Sequence, residues 1–348
     1  MKAISDVRDI SRIAYGFMAS RALFAAPELD LFTRLAGRPK SVSVLAAEAG
    51  TSPNHLRTLL VALASVGLLT KRGDTFANAP AADTYLVRGA PRYYGDYLRV
   101  VNGKFTYRYL VNLERTLRGE RVAEGGFYGG YCSTPEEVEE FSRAQHVGSL
   151  GPAAVLARQV DVSGCRALLD VGGGSGAFTI ALCRRNPTLE ATIVDFPDTV
   201  DVARRYAAEA GLGSRIRHVA GDALTTDWPD NQDVVLMSYV WSAVGEDDIE
   251  TLADRAYAAL VPGGRLLIHD FMVDDEQASP DVAAWHLLAS AINNPRAVCL
   301  TPAGITEQLR RRGFEDIVID ALVPGITSLA VARKPGRDRG TSHRGSPR

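Results

Sequence analysis

The residues Asp170-Val171-Gly172-Gly173-Gly174-Ser175-Gly176 stand between an apolar run, Ala167 to Val171, and a helical one, Ser175 to Arg185. A strand that turns through several glycines into a helix is the joint of an open parallel sheet. Glycine lets the backbone turn sharply and lets a ligand approach without side-chain obstruction. The chain beyond keeps the same rhythm. Strands are expected at Glu190 to Val194, ending in Asp195, and at Arg215 to Ala220, Asp233 to Tyr239 and Arg265 to Phe271; helices are expected at Thr199 to Ala210 and Asp247 to Leu260. That alternation predicts a parallel sheet covered on both faces. The last two strands, Ile317 to Ala321 and Thr327 to Arg333, are joined only by Leu322 to Ile326 with its Pro324-Gly325. So short a link permits only an antiparallel pair. The tail from Pro335 to Arg348 reads as disordered.

Two kinds of ligand suit such a loop. Gly172, Gly174 and Ala177 satisfy the looser GxGxx(G/A) pattern of a dinucleotide site, with Asp195 at the right distance for a ribose hydroxyl. Three features favour a different adenosyl ligand. Gly221-Asp222 ends the third strand with a carboxylate at the ligand edge, Pro262-Gly263-Gly264 turns into the fifth, and the sheet closes with a hairpin. A hydride-transferring fold of six parallel strands has no need of that hairpin.

The N-terminal part has another character. Tyr15 to Leu35 reads as a helix, and Ser43 to Ala49, Gly50, the caps Thr51 and Ser52, then Pro53 to Val66 read as helix, turn, helix. Leu68 to Lys71, Gly73-Asp74 and Thr75 to Ala77 then read as a hairpin, which completes a winged-helix outline. Its second helix offers only His55 and Arg57 among leucines, valines and alanines, a poor surface for DNA and a good one for another subunit. From Tyr93 to Leu156 aromatic residues concentrate, among them Phe105, Tyr109, and Phe127-Tyr128 between two glycine pairs; this stretch is expected to wall a pocket.

At 348 residues the chain exceeds the usual growth of one core, so two domains are expected. A charged fraction of 23% and a net charge of -2 give no global attraction for nucleic acid. No apolar run approaches the roughly 18 residues of a spanning helix, and Met1 to Ile13 lacks the apolar stretch of a secretory signal, so a cytoplasmic location is expected. The four cysteines are far apart and form no zinc spacing, so they read as reduced thiols.

The strings LLDVGGGSGAFTIAL, VDFP, AGDAL and ALVPGGRLLI together resemble the small-molecule O-methyltransferase family, the plant caffeate-type enzymes and their bacterial polyketide-tailoring relatives. The resemblance covers most of the chain. It implies an α/β fold, a class I methyltransferase Rossmann-like sheet with an N-terminal helical winged-helix dimerisation domain. The domains would be residues 1–95 for dimerisation, 96–160 as a helical pocket segment, 161–334 for the cofactor and 335–348 as a tail. It further implies a homodimer acting on a small, aromatic metabolite with S-adenosylmethionine. Gly172 and Gly174 would contact the methionine moiety, Asp195 the ribose, and Asp222 with Ala223 the adenine; Asp170, Gly173, Phe196, Gly221 and Ser238 complete the implied site. The assignment is chemically coherent. The ligand has no phosphates, its carboxylate suits the N–H groups of a helix start, and its ribose hydroxyls suit a carboxylate.

The resemblance fails at one point. Where the family places a His-Asp-Trp run bearing the base, an ungapped count gives Ser242-Ala243-Val244. Of the two acidic helpers, Asp270 is compatible and Cys299 is not. A serine cannot deprotonate a phenol at neutral pH without a neighbouring base. His286 and His146 are the substitutes, with Tyr239 a weaker one; Gln145, Trp241 and Trp285 are expected to touch the substrate. His269 and Asp270, neighbours on a strand, face opposite ways, and Asp270 is the one expected to face the ligand. A metal held by His269, Asp270 and His286 is conceivable, but the spacing matches no ligand motif and no metal is expected. O-methylation is the leading expectation; N- or C-methylation would relax the need for a base. Two other functions stay open, a diverted reaction such as hydroxylation or decarboxylation, and a winged-helix regulator that senses a metabolite.

Overall fold

The computed structural model describes residues 3–120, 132 and 134–336. Phe127, Tyr128 and the tail beyond Gly336 lie outside the described residues. The chain divides into two compact units, Met1–Pro152 and Ala153–Arg348.

In the first unit, the single helix expected over Tyr15 to Leu35 is two, α1 (Val7–Ala25) and α2 (Leu31–Leu35). Pro27 lacks an amide hydrogen, and Asp30 takes a left-handed φ of 50°, so the helix cannot run through. Then follow β1 (Lys40–Ser41), α3 (Val42–Ala49), α4 (Pro53–Ser65), β2 (Leu69–Arg72) and β3 (Thr75–Asn78). Local chemistry sets these limits. Ser41 and Ser52 accept the N–H of Val44 and His55 at 3.4 and 3.2 Å, Pro53 opens α4, and Gly50 ends α3 at φ 65°. The strands form an antiparallel sheet in the order β1-β3-β2, from which Phe76 joins a core with Phe32, Leu45, Leu56 and Leu60. This is the winged-helix outline.

The unit continues through α5 (Pro80–Tyr85), a π-helical stretch Tyr97–Thr106, α6 (Tyr107–Leu110) and α7 (Leu113–Leu117). It enters α8 (Pro135–Gln159), within which the division of the chain falls. Among the described residues no helix is long and apolar enough to cross a membrane.

The second unit is built on seven strands: β4 (Ala167–Val171), β5 (Glu190–Asp195), β6 (Ile216–Ala220), β7 (Gln232–Ser238), β8 (Leu260–Asp270), β9 (Glu315–Val323) and β10 (Thr327–Arg333). Their order is β6-β5-β4-β7-β8-β10-β9; β4 to β8 pair in parallel and β10 runs antiparallel to β8 and β9. β8 starts five residues before its expected start at Arg265, because Leu260 already pairs with Gln232 before the register shifts across Pro262-Gly263-Gly264. The helices are α9 (Ala177–Arg185), α10 (Pro197–Glu209), α11 (Glu246–Ala259), α12 (Asp281–Asn293) and α13 (Pro302–Arg311). Successive strand residues serve opposite faces. Leu168 joins a core with Phe178, Leu182 and Ala203, whereas Leu169 joins one with Trp241, Leu252 and Ala256. With both faces covered, the central strands read as unbroken apolar runs. The strand order reverses between β4 and β7, and open sheets of this kind bind ligands at the carboxyl ends flanking such a reversal.

Candidate active site

The loop after β4 is a sequence of conformations that side chains resist. Gly172, Gly174 and Gly176 have φ of 66°, 59° and 77°. At Gly172 an added Cβ would lie 2.7 Å from Val240, and at Gly173 one would lie 2.8 Å from the carboxyl carbon of Asp170. At Gly174 it would meet nothing within 4 Å. The loop is therefore packed tightly below and open at Gly174.

Two carboxylates shape it. Asp195, at the tip of β5, accepts the Gly174 N–H on Oδ2 and the Phe196 N–H on Oδ1, both at 2.7 Å. Burial raises its pKa to about 6, although the N–H bonds from Gly174 and Phe196 pull the other way. Asp170 lies beneath and accepts the Thr179 hydroxyl at 2.5 Å. Burial, reinforced by the nearby Asp195, raises its pKa to about 7.

Beyond β6, Gly221 donates to the Asp195 carbonyl at 2.9 Å, which ties the third strand tip to the second. Asp222 is exposed, and its Oδ1 accepts the Leu224 N–H at 2.9 Å. The Ala223 N–H has no hydrogen-bond partner among the described residues. A carboxylate beside an open N–H presents an acceptor and a donor side by side, which complements the amino group and ring nitrogen on adenine's edge. Together with the open ground above Gly174 and the Asp195 carboxylate, this donor and acceptor set fits S-adenosylmethionine.

At the tips of β7 and β8 the structure departs from expectation. Ser238, expected at the cofactor, has its hydroxyl engaged from the next strand. It bonds His269 Nδ1 at 2.8 Å, while His269 Nε2 meets Thr327 Oγ1 at 2.9 Å. This histidine is wholly buried, and burial lowers its pKa to about 3. Tyr239 follows in the left-handed region at φ 61°, its N–H held by the His269 carbonyl at 2.8 Å and its ring edge-on to the imidazole at 4.5 Å. Sequence gave no sign of that conformation, because tyrosine rarely adopts it.

Asp270 and Ser242 are brought together. The Ser242 N–H donates to Asp270 Oδ2 at 3.0 Å, and the Ser242 hydroxyl, Phe271 and Trp241 add further hydrogen bonds to the same carboxyl. Burial nonetheless raises the Asp270 pKa to about 6. Asp270 thus anchors the short Trp241–Ala243 helical turn. Beside it, His286 of α12 stacks on Phe271 at 3.7 Å and 17°, and burial lowers its pKa to about 4. Neither imidazole nitrogen has a hydrogen-bond partner among the described residues. Trp285, its neighbour, is 63% exposed.

Two residues expected against substrate are corrected to core. Trp241 is 1% exposed and donates its indole N–H to Met237 Sδ at 3.2 Å, so its ring fills the interior between β7 and α11. Phe105 is fully buried against Phe141, edge to face at 5.4 Å. Both follow from the same fact, that large apolar rings near a strand or helix end are drawn into the nearest core. Tyr109 is buried too, under the Arg108 guanidinium at 5.3 Å, while Gln145 and His146 are half-buried on α8. No group of three or more His, Cys, Asp or Glu side chains able to hold a metal occurs among the described residues.

Comparison with known proteins agrees with this geometry. A family model described as an O-methyltransferase domain matches residues 113–314, and one described as an O-methyltransferase dimerisation domain matches residues 11–88. The chain is 34% identical to the tetracenomycin polyketide synthesis 8-O-methyl transferase TcmO of Streptomyces glaucescens, covering 94% of this chain and 96% of that protein. It is 31% identical to the 3-hydroxy-5-methyl-1-naphthoate 3-O-methyltransferase of Streptomyces sahachiroi, over 79% of this chain and 80% of that one. The crystal structure of human N-acetylserotonin methyltransferase in complex with SAM superposes with a TM-score of 0.84 at 25% identity, covering 96% of this chain and 100% of that one.

Proposed function

The chain belongs to the O-methyltransferase family and is an S-adenosylmethionine-dependent methyltransferase, and on that premise we propose that it methylates an oxygen of a small aromatic metabolite in the cytoplasm, as a homodimer. The observation that carries the reading is the bond from Gly174 to Asp195 at 2.7 Å, which joins the glycine loop to a strand-tip carboxylate below open ground. The aromatic acceptor is supported by the relatives, which are named for tetracenomycin and naphthoate chemistry. Neither a diverted reaction nor a regulator is favoured by them. The homodimer is supported by the dimerisation match and by Val7, Ile10, Ile13 and Phe17, which α1 exposes. Four free cysteines support a reducing compartment.

In this reading Gly172 and Gly174, whose own N–H groups are given to Val194 and Asp195, border the methionine end with no side chain in the way, Asp195 takes the ribose hydroxyls, and Asp222 with Ala223 the adenine. S-adenosylmethionine, when bound, supplies an electrophilic methyl on sulfonium. The chain's own contribution is alignment of the acceptor oxygen with that methyl and exclusion of water, and such positioning supplies much of the acceleration. Ser242 and Asp270 are committed to one another, so His286 takes the hydroxyl proton on a neutral imidazole nitrogen. An acceptor whose hydroxyl is already acidic, as on a conjugated ring, asks little of that base.

The test is turnover: purified protein with S-adenosylmethionine and a panel of polycyclic and naphthoic phenols should release S-adenosylhomocysteine with equimolar methyl ether. Methylation of amines or carbons alone would refute the oxygen assignment.

A further inference from the structure

Arg255, on α11, reaches across to the turn that follows β6. Its Nη1 donates to the Leu224 carbonyl at 3.0 Å and its Nη2 to the Thr226 carbonyl. The guanidinium lies 4.7 Å from the Trp228 ring centre, and the Trp228 indole N–H donates to the Ala223 carbonyl at 3.1 Å. The turn is folded on itself as well. The Asp222 carbonyl accepts the N–H of Thr225 and Thr226 at 3.0 and 2.8 Å, and a Cβ on Gly221 would lie 1.8 Å from Thr226 Oγ1.

These contacts converge on two atoms. The Ala223–Leu224 peptide group gives its carbonyl oxygen to the Trp228 indole and its N–H to the Asp222 carboxylate, so the indole fixes that carboxylate through one peptide group, and Arg255 holds the carbonyl of the next, that of Leu224. The Asp222–Ala223 peptide group gives its carbonyl oxygen to Thr225 and Thr226, which leaves the Ala223 N–H on its opposite side open. A planar guanidinium with several fixed donors suits this task; a flexible ammonium reaching one carbonyl does not. α11 itself is locked by Ala253 and Ala256 in the core, so the anchor is rigid.

We infer that Arg255, with Trp228 as its platform, is the positioning residue that presets the Asp222 carboxylate and the Ala223 N–H for the adenine ring. The inference rests on the proposed placement of adenine at Asp222 and Ala223. It says that the turn is shaped before the ligand arrives, by a residue that touches neither ligand nor reacting atoms.

The experiment compares Arg255→Met, Arg255→Lys, Trp228→Phe and Asp222→Ala in the full chain. KM for S-adenosylmethionine, kcat, and the Kd of S-adenosylhomocysteine by calorimetry are measured for each. Arg255→Met should raise KM and Kd together by about tenfold with kcat within about twofold, the pattern of lost uniform binding. Arg255→Lys should recover part of that loss. Trp228→Phe, which keeps an aromatic face for the guanidinium but removes the indole N–H and part of the ring, should raise Kd by about threefold or more, at least the worth of one neutral hydrogen bond, and it serves if Arg255→Met does not fold. Unchanged Kd in Arg255→Met, or in Trp228→Phe should that variant alone fold, overturns the inference, as does a fall in kcat at constant KM. Asp222→Ala separates the two ideas: if it leaves Kd unchanged, the adenine placement fails; if it weakens binding while the Arg255 variants do not, only the role of Arg255 fails.

Discussion

The Gly174 N–H donates to Asp195 Oδ2 at 2.7 Å, so the loop after the first parallel strand and the tip of the second are a single unit. Asp195→Ala removes the acceptor of this bond and of the Phe196 N–H together. Affinity for S-adenosylhomocysteine should fall by about 100-fold or more, since hydrogen bonds to a charged group contribute about 1.5–3 kcal/mol each. Calorimetry reads the loss, and circular dichroism should show the sheet unchanged. Equal affinity would remove the cofactor site from this loop.

Gly172 and Gly174 should respond differently to alanine. Both have positive φ, but a Cβ on Gly172 would press on Val240 whereas one on Gly174 meets open space. Gly172→Ala should lose both stability and binding. Gly174→Ala should cost only the backbone strain, about 1 kcal/mol, while still weakening the cofactor through a methyl on the open side. Denaturant melts paired with calorimetry distinguish the two, and a Gly174→Ala protein that binds normally would contradict the proposed approach of the ligand.

Trp241→Ala should destabilise the fold by about 3–5 kcal/mol, the cost of emptying a buried aromatic site. If Trp241 lined the acceptor pocket instead, the variant would melt normally and lose turnover. Guanidinium unfolding decides between them.

The pH dependence of stability should reveal Asp170. Its folded pKa, about 7, lies above the ordinary 3.8, chiefly through burial. The folded state therefore keeps a proton that the unfolded chain gives up. This group's contribution is fully present below about pH 4 and is lost as pH rises through about 7. Asp170→Asn should accordingly gain on the wild type in Tm as the pH is raised from about 5 to about 8. Parallel Tm curves would refute the raised pKa.

His286→Phe should keep the stack on Phe271 and lose the proton acceptor, lowering kcat by about 100-fold with little change in KM. Ser242→Ala should alter kcat by less than about threefold, because the Asp270 carboxyl keeps its backbone donors. Since the His286 pKa is lowered to about 4 by burial, its neutral form persists on acidification and its contribution is lost only as pH falls through that value. The ratio of wild-type to His286→Phe rate should stay level between about pH 5 and 8. A ratio that collapses near pH 6.5 would mean an exposed, ordinary imidazole.

The amino-acid sequence by itself determined whatever depends on neighbours along the chain. The glycine turn at Gly172 to Gly176, the Ser52-Pro53 helix start, the carboxylates closing β5 and opening the turn after β6, and the antiparallel final hairpin all follow from local conformational preference and connection length. Only the tertiary structure decided matters that need partners remote in sequence. Ser238 is engaged by His269, which is 31 residues away; Trp241 is drawn into the core beside α11; and Arg255, with no motif around it, lands on the turn 29 to 31 residues before it. A hydroxyl, a ring or a guanidinium carries no label for its destination in the chain. Its place is fixed by which buried polar group lacks a partner and which core lies nearest once the sheet has closed.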